Sequence, residues 1–268
     1  MHTPDFEVEG QSVVVTGASQ GIGRAIAETF AAAGADVTIC SRSMERVGPV
    51  AEGINRAVDE ADGGRALAVE CDVRDRDDVE ELFATAVAEF GAPDALVSNA
   101  GGEFVAPFEE ISENGWQAVT DLNLGGTYRC AQVAGEYMRE AGGGTIVNFA
   151  SVNGQHPAPG ESHYGAAKAA VIRLTETLAV EWATHGIRVN CVAPGLIQTP
   201  GVAETLGIDE ADMPPRDEAD RRIGHPEEIA DLVCFLCSPA ASFLNGETVT
   251  AKGVPRAGNA MNVDLGLQ

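Results

Sequence analysis

At 268 residues the chain has room for one large α/β domain, and 44% hydrophobic residues exclude a disordered polyanion. Its 41 acidic against 17 basic side chains give a net charge of -24, which excludes a nucleic-acid backbone or an anionic membrane surface as partner. The opening residues are short, acidic and polar rather than signal-like, and no apolar run reaches spanning length, so a cytoplasmic setting is expected.

The first predicted element is the apolar strand 12–15, which runs into TGASQGIG at 16–23 and then an amphipathic helix from Arg24. Gly17 permits backbone angles closed to a side chain, while Gly21 and Gly23 permit close approach of a ligand and of helix to strand. First-turn amides of such a helix face an anion, here a pyrophosphate. Gly17, Ser19, Gln20, Gly21, Ile22 and Gly23 are therefore the predicted phosphate cradle of a dinucleotide.

Strand 36–40 ends in Ser41-Arg42-Ser43. An acidic side chain here would hold the ribose hydroxyls of an unphosphorylated nicotinamide cofactor, whereas a hydroxyl and a guanidinium suit a 2′-phosphate. Ser41 and Arg42 thus predict NADP(H), with NAD(H) as the alternative; Gln20 adds no charge to this end. A helix to about 62 and strand 66–70 lead to Asp72, placed to accept from an adenine amino group, and Val73, placed against its ring. Helix 76–90 and strand 94–97 follow, and the strand opens into the small-residue turn Asn99-Ala100-Gly101-Gly102.

A helix over about 121–140, strand 145–149, helix 163–185 and strand 187–192 continue the alternation. Pro194-Gly195 interrupts it; an irregular acidic segment runs to about 222, before helix 227–237 and strand 247–250. Short connections between alternating strands and helices demand a single doubly wound parallel sheet with helices on both faces. Residues 196–225 are the predicted substrate lid, since they follow a strand's carboxyl end and Met213-Pro214-Pro215 breaks any helix there. Its acids disfavour a free polyanionic substrate unless Arg216, Arg221 or Arg222 turns inward. The six cysteines lie in apolar stretches and read as small buried hydrophobes, with no metal site.

Tyr164 and Lys168 are four residues apart on a helical run and share one face, and Ser151 closes the preceding strand. A neighbouring ammonium lowers a phenol's pKa, so the tyrosine can give a proton to a carbonyl oxygen as a hydride reaches carbon, or reverse the step with an alcohol. Ser151 would hold the same oxygen and Lys168 the nicotinamide ribose. His156, His163 and Glu161 form a rival acid/base set in the same loop.

These pieces, with DV at 72–73, NAGG at 99–102, DLNLGGT at 121–127, YGAAK at 164–168, Pro194-Gly195 with Thr199, and RRIGHPEEIA at 221–230, resemble the short-chain dehydrogenase/reductase family over about 10–250. The resemblance implies Ser151, Tyr164 and Lys168 as catalytic set, with Asn123 propping a water that leads protons from the lysine to solvent. It places Asn99, Ala100 and Gly101 along the cofactor, and Pro194, Gly195, Ile197 and Thr199 at the nicotinamide amide. It also implies seven parallel strands and a homotetramer or homodimer.

Within the family, 99–116 and 178–195 most resemble 3-oxoacyl thioester reductases and related enoyl-CoA reductases. A sugar or polyol dehydrogenase, glucose 1-dehydrogenase-like, is the alternative substrate class. A catalytically silent cofactor-binding regulator is the non-enzyme alternative. The close departs from the family's usual Asp-Gly-Gly turn, reading Ala251-Lys252-Gly253-Val254-Pro255, so the tail 251–268 is expected to pack differently. An acid coat with only two lysines, Lys168 and Lys252, further predicts a protein of a halophilic microbe.

Overall fold

The computed structural model describes residues 5–58, 63–206, 215–216 and 222–253. Seven strands, β1 (Ser12–Thr16), β2 (Asp36–Ser41), β3 (Ala66–Glu70), β4 (Ala95–Ser98), β5 (Gly144–Phe149), β6 (Ile187–Pro194) and β7 (Thr248–Ala251), form one sheet in the order β3-β2-β1-β4-β5-β6-β7. Every pairing is parallel, as the single doubly wound sheet requires. β1 sits between β2 and β4, with Val14 opposite Thr38 on one side and Leu96 on the other. The order reverses there, which opens a crevice at the carboxyl ends of β1 and β4.

Both faces of the sheet are covered, which is why β1 reads as an unbroken apolar run. Its side chains alternate between two cores, as the strand period of two demands. Val13 and Val15 pack with Ile26 and Phe30 of α1 (Gly21–Ala32) and Ile229 and Leu236 of α8 (Pro226–Cys237). Val14 packs on the opposite face with Leu82 and Phe83 of α3 (Arg76–Phe90) and Met138 of α5 (Gly126–Ala141). Each such fully buried side chain contributes about 1.5–3 kcal/mol.

Three boundaries differ from expectation. The helix expected over 121–140 is preceded by α4 (Glu113–Thr120) and begins as a wide π turn, Asp121–Gly125, before α5. Ser112 caps α4 by accepting from Gly115 N–H at 3.1 Å, but the helix buries only Val119, so its apolar signature is faint. β6 runs on through Pro194, which tolerates the strand because it stands at the last position, where its missing N–H removes no interior ladder bond.

The segment expected to be irregular instead starts with α7 (Pro200–Leu206). The rest of the expected lid, 207–214 with Met213 and Pro214, and 217–221 with Arg221, lies outside the described residues, as do 59–62 and the tail 254–268. α2 (Met44–Val58) and α6 (Ser162–Trp182) complete the helices used below. Among the described residues no helix is long and apolar enough to cross a membrane.

Candidate active site

The end of β4 is stapled to the end of β1. Asn99 Nδ2 donates to the carbonyl oxygens of Thr16 at 2.9 Å and Gly17 at 3.1 Å, and Ala100 N–H donates to Thr16 Oγ1 at 3.0 Å. This holds the glycine turn against the Asn99 turn so closely that side chains are excluded. Gly17 has φ +68, and a methyl there would stand 2.8 Å from Ala100 Cα; at Gly23 a methyl would stand 2.4 Å from Asn99 Nδ2. Gln20, at the N-cap of α1, makes no side-chain cap bond, so the first-turn amides are not taken by it.

The cleft that results has a volume of about 580 Å³. Of the predicted cofactor residues, Gly17, Ser19, Gln20, Gly21, Ile22, Gly23, Ser41, Arg42, Asp72, Val73, Asn99, Ala100, Gly101 and Thr199 line it. Thr199 faces the glycine turn, its Cγ2 standing 3.1 Å from where a Gly21 methyl would sit. Pro194, Gly195 and Ile197 reach the same end of the sheet but do not line the cleft. Gly195 N–H is spent on Ala251 O at 2.8 Å, and buried Ile197 bridges to Gly224. An uncapped helix N-terminus, glycines that leave room for a backbone-hugging group, and cations at one end fit a phosphorylated dinucleotide. A larger hollow of about 780 Å³ lies beside Arg74, Asp121 and Tyr128, off this crevice, and is lined by none of the candidate catalytic side chains.

At the adenosine end Arg46, four residues beyond Arg42 on α2, also lines the cleft and donates to Gln20 Oε1 at 2.8 Å. Gln20 therefore contributes by aiming a cation rather than by carrying charge. Arg42 lies before α2 and Arg46 in its first turn, so no helical spacing pairs them, and only their nearness in sequence hinted at this second guanidinium. Asp72 is engaged by Arg74, which donates from Nε at 2.9 Å and from Nη2 at 2.5 Å. The Arg74 hydrogen bond holds its carboxyl below the ordinary value against the opposing effect of burial, with the Arg42 charge adding to the effect. With Arg74 N–H donating to Oδ1 at 3.0 Å and Nε also reaching Oδ2 at 3.1 Å, each carboxylate oxygen already accepts two hydrogen bonds, so an adenine amino group would compete with Arg74.

The catalytic candidates meet at the far end of the cleft. Ser151 follows β5 and caps the 3-10 turn Val152–Gly154, its Oγ accepting from Asn153 N–H at 3.1 Å. Lys168 is buried; its Nζ donates to Phe149 O at 2.8 Å and stands 5.5 Å from the centre of the Tyr164 ring. Asn123 lies in the π turn and its Nδ2 donates to Gly102 O at 2.7 Å and Val119 O at 2.9 Å. A methyl on Gly101 would stand 2.7 Å from Asn123 Oδ1 and 3.4 Å from Lys168 Nζ, so the cleft wall, the asparagine and the lysine converge on one point.

Electrostatics here departs from expectation in one respect. The phenol of half-buried Tyr164 is pushed up, not down: burial leads, the Glu103 charge adds to it, a hydrogen bond with Ser151 opposes, and the Glu161 charge adds again. Lys168 is pulled down to about 8 by burial, with Cys191 and Glu103 holding it up. The rival histidines are turned elsewhere. Buried His163 accepts from Tyr164 N–H on Nδ1 at 2.9 Å and packs edge-on against Phe104, while His156 is exposed. Glu103, just past NAGG, is the acid that sequence reasoning missed.

Comparison with known proteins agrees with this geometry. The family profile described as enoyl-(acyl carrier protein) reductase matches residues 17–253. A cis-4-hydroxycyclohexanecarboxylate dehydrogenase of Sinomonas cyclohexanicum is 43% identical over 244 residues, covering 90% of this chain and 94% of that one. A 3-oxoacyl-[acyl-carrier-protein] reductase of Synechocystis is 38% identical over 247 residues, covering 91% and 96%. The solved structure of L-sorbose reductase from Gluconobacter frateurii, complexed with NADPH and L-sorbose, superposes with a TM-score of 0.83 at 32% identity, covering 93% and 97%. With the fold, the two turns and the Ser151, Tyr164 and Lys168 cluster in place, the chain belongs to the short-chain dehydrogenase/reductase family of oxidoreductases.

Proposed function

We propose that the protein is an NADP(H)-dependent oxidoreductase that reduces a ketone or 3-oxoacyl thioester to the secondary alcohol, reversibly, with Tyr164 exchanging the proton. The observation that carries this is buried Lys168, its Nζ 5.5 Å from the centre of the Tyr164 ring and converging with Asn123 on Gly101, at the end of a dinucleotide-shaped cleft. The cofactor, when bound, supplies or accepts the hydride. Ser151 would hold the carbonyl oxygen and stabilise the charge that builds on it. Tyr164, kept protonated by burial and by Glu103, is suited to give its proton to that oxygen. Lys168, charged below about pH 8, would stabilise the phenolate left behind. Ser41, Arg42 and Arg46 offer one hydroxyl and two guanidinium groups to a 2′-phosphate, which supports NADP(H) over NAD(H).

A sugar or polyol is the second substrate reading, favoured by the likeness to the L-sorbose reductase structure. A cytoplasmic homotetramer or homodimer from a halophilic microbe completes the proposal, supported by the acid coat and the family. The test is steady-state kcat/KM for acetoacetyl-CoA, its free-ketone analogue, glucose and sorbose at one high salt concentration. A hundredfold thioester preference, about 2.7 kcal/mol of transition-state binding, supports the acyl reductase. Sugar turnover without thioester turnover overturns it in favour of a sugar dehydrogenase, and no turnover with any carbonyl or alcohol favours the silent regulator.

A further inference from the structure

We infer that the substrate is an uncharged hydrocarbon ketone bearing a ring, held on an apolar shelf that Phe104, Val105, Phe108 and Trp116 form beside the active site. The inference rests on the oxidoreductase reading above and narrows it to its ketone arm.

The shelf begins at the catalytic residues. Gly102 is clamped to Asn123 through its N–H at 3.3 Å and its C=O at 2.7 Å. Two residues on, the Phe104 ring stands edge-on to His163, with ring centres 4.4 Å apart. His163 directly precedes Tyr164 and accepts its backbone N–H on Nδ1 at 2.9 Å. Close packing holds the shelf outward from there. A methyl on Gly115 would stand 3.0 Å from Phe104 Cζ, so that ring lies against the first turn of α4. A methyl on Gly160 would stand 2.9 Å from Val105 Cγ1, and Ala106 N–H donates to Gly160 O at 2.9 Å. Next to Gly115 a hollow of about 390 Å³ opens between Phe108, Ile111 and Trp116, with Glu113 and Gln117 also lining it. That volume is within the range of small-molecule sites.

Apolar exposure is concentrated here. Ten large hydrophobic side chains are exposed among the described residues, and four of them, Phe104, Val105, Phe108 and Trp116, fall within 104–116. A chain with 41 acidic side chains does not lack polar residues for a loop. Apolar ones left open together beside a reaction centre mark a surface that a ligand covers.

Charge decides which ligand. Residues 99–116 carry Glu103, Glu109, Glu110 and Glu113 and no lysine or arginine. The loop tied to them, 152–163, adds Glu161 and again no lysine or arginine. Lys168 is buried and donates to Phe149 O. A coenzyme A arm would bring its phosphates to these carboxylates with no cation on either loop to pair them, and a sugar would set its hydroxyls against aromatic rings. An uncharged hydrocarbon ring meets neither cost and takes apolar surface out of water.

The probes are benzylacetone, its para-carboxylate, 2-butanone, glucose and acetoacetyl-CoA. Benzylacetone is expected to exceed 2-butanone and glucose in kcat/KM by about a hundredfold, since the extra ring is buried. It should exceed the para-carboxylate and acetoacetyl-CoA by about tenfold, a gap that narrows at high salt. Phe108→Ser, at an exposed position, is expected to lower kcat/KM for benzylacetone about tenfold and to shrink its advantage over 2-butanone accordingly. Binding is read apart from turnover. In Trp182→Phe the remaining tryptophan is Trp116, whose fluorescence should change when benzylacetone is added without cofactor, and change far less with the para-carboxylate. That change without turnover of any carbonyl would support the shelf and count against the proposed reaction. Equal kcat/KM for benzylacetone and its carboxylate, a preference for glucose or the thioester, or a benzylacetone-to-butanone ratio unmoved in Phe108→Ser would each overturn the inference.

Discussion

Lys168 Nζ lies 5.5 Å from the centre of the Tyr164 ring while donating to the Phe149 carbonyl oxygen at 2.8 Å. One ammonium thus serves the strand end that leads to Ser151 and the phenol that faces it. Burial makes this costly, because a cation in the interior gives up its hydration. The pair should therefore trade stability for activity.

Lys168→Met is expected to abolish turnover and yet raise the melting temperature. Lys168 is pulled by burial from its ordinary value to about 8, so the fold carries the cost of its charge fully below about pH 8. After subtracting the lost bond to Phe149 O, the gain should be on the order of 1–2 kcal/mol at neutral pH. It should shrink as pH rises from about 8 toward the ordinary lysine value. Denaturant unfolding across that range checks it; a variant less stable at neutral pH and equally so at high pH would contradict it.

Tyr164→Phe should lower kcat by about 10²–10⁴-fold, the usual worth of a positioned proton donor. The ring and its packing against Lys168 remain, so cofactor affinity, read by fluorescence quenching, should not change. Normal turnover by this variant would remove the tyrosine from the mechanism.

Cofactor preference should respond to both arginines. Arg42→Asp is expected to reverse the preference, by lost pairing and by repulsion of the 2′-phosphate. Arg46→Gln, which leaves Gln20 without its donor, should weaken the phosphorylated cofactor by about tenfold and leave the unphosphorylated one alone. Equal dissociation constants for both cofactors in wild type and variants would make these arginines ordinary surface.

The strands were legible because a sheet covered on both faces needs continuous apolar runs, as in Val13, Val14 and Val15. The glycine turn and Tyr164 with Lys168 were legible because spacing fixes which face a residue shares. α4 was hidden by burying only Val119, and the π turn by having no pattern of its own. Glu103 was hidden among 41 acidic residues, where one more acid after two glycines looks like coat. The direction of the Tyr164 shift was hidden for a different reason. Spacing reveals that Lys168 is near, but burial and the Glu103 charge set the direction, and both come from contacts made only in the folded chain.

The net charge of -24 predicts that the fold gains stability as monovalent salt rises toward molar levels. Repulsion among exposed carboxylates acts over a Debye length of about 10 Å at 0.1 M and about 3 Å at 1 M, so most of it is screened at high salt. Melting temperature across a salt series should climb; a flat or falling curve would show that the acids are already balanced by local pairs such as Arg65–Glu89.

Arg222 and Glu228 offer a contact that salt should weaken much less. Arg222 donates to both oxygens of Glu228 at 2.6 Å, and Glu228 Oε2 also accepts from His225 N–H at 2.8 Å, capping α8. The Arg222 bond pulls the Glu228 carboxyl down to about 2, against a smaller push from burial and with help from His225. The folded value is thus below the ordinary one, so the contribution is present above about pH 4.5 and is lost as pH falls toward about 2. Because α8 carries Ile229, Val233 and Leu236 into the core against α1, loosening its first turn reaches the fold itself. Glu228→Gln keeps the shape and removes the charge, and should cost about 1–2 kcal/mol at pH 7, discounted for partial exposure. The gap between variant and wild type, measured by denaturant unfolding in high salt, should narrow as pH is lowered from about 5 toward 3. A gap that stayed constant over that range would mean that the cap's shape, and not its charge, holds α8 in place.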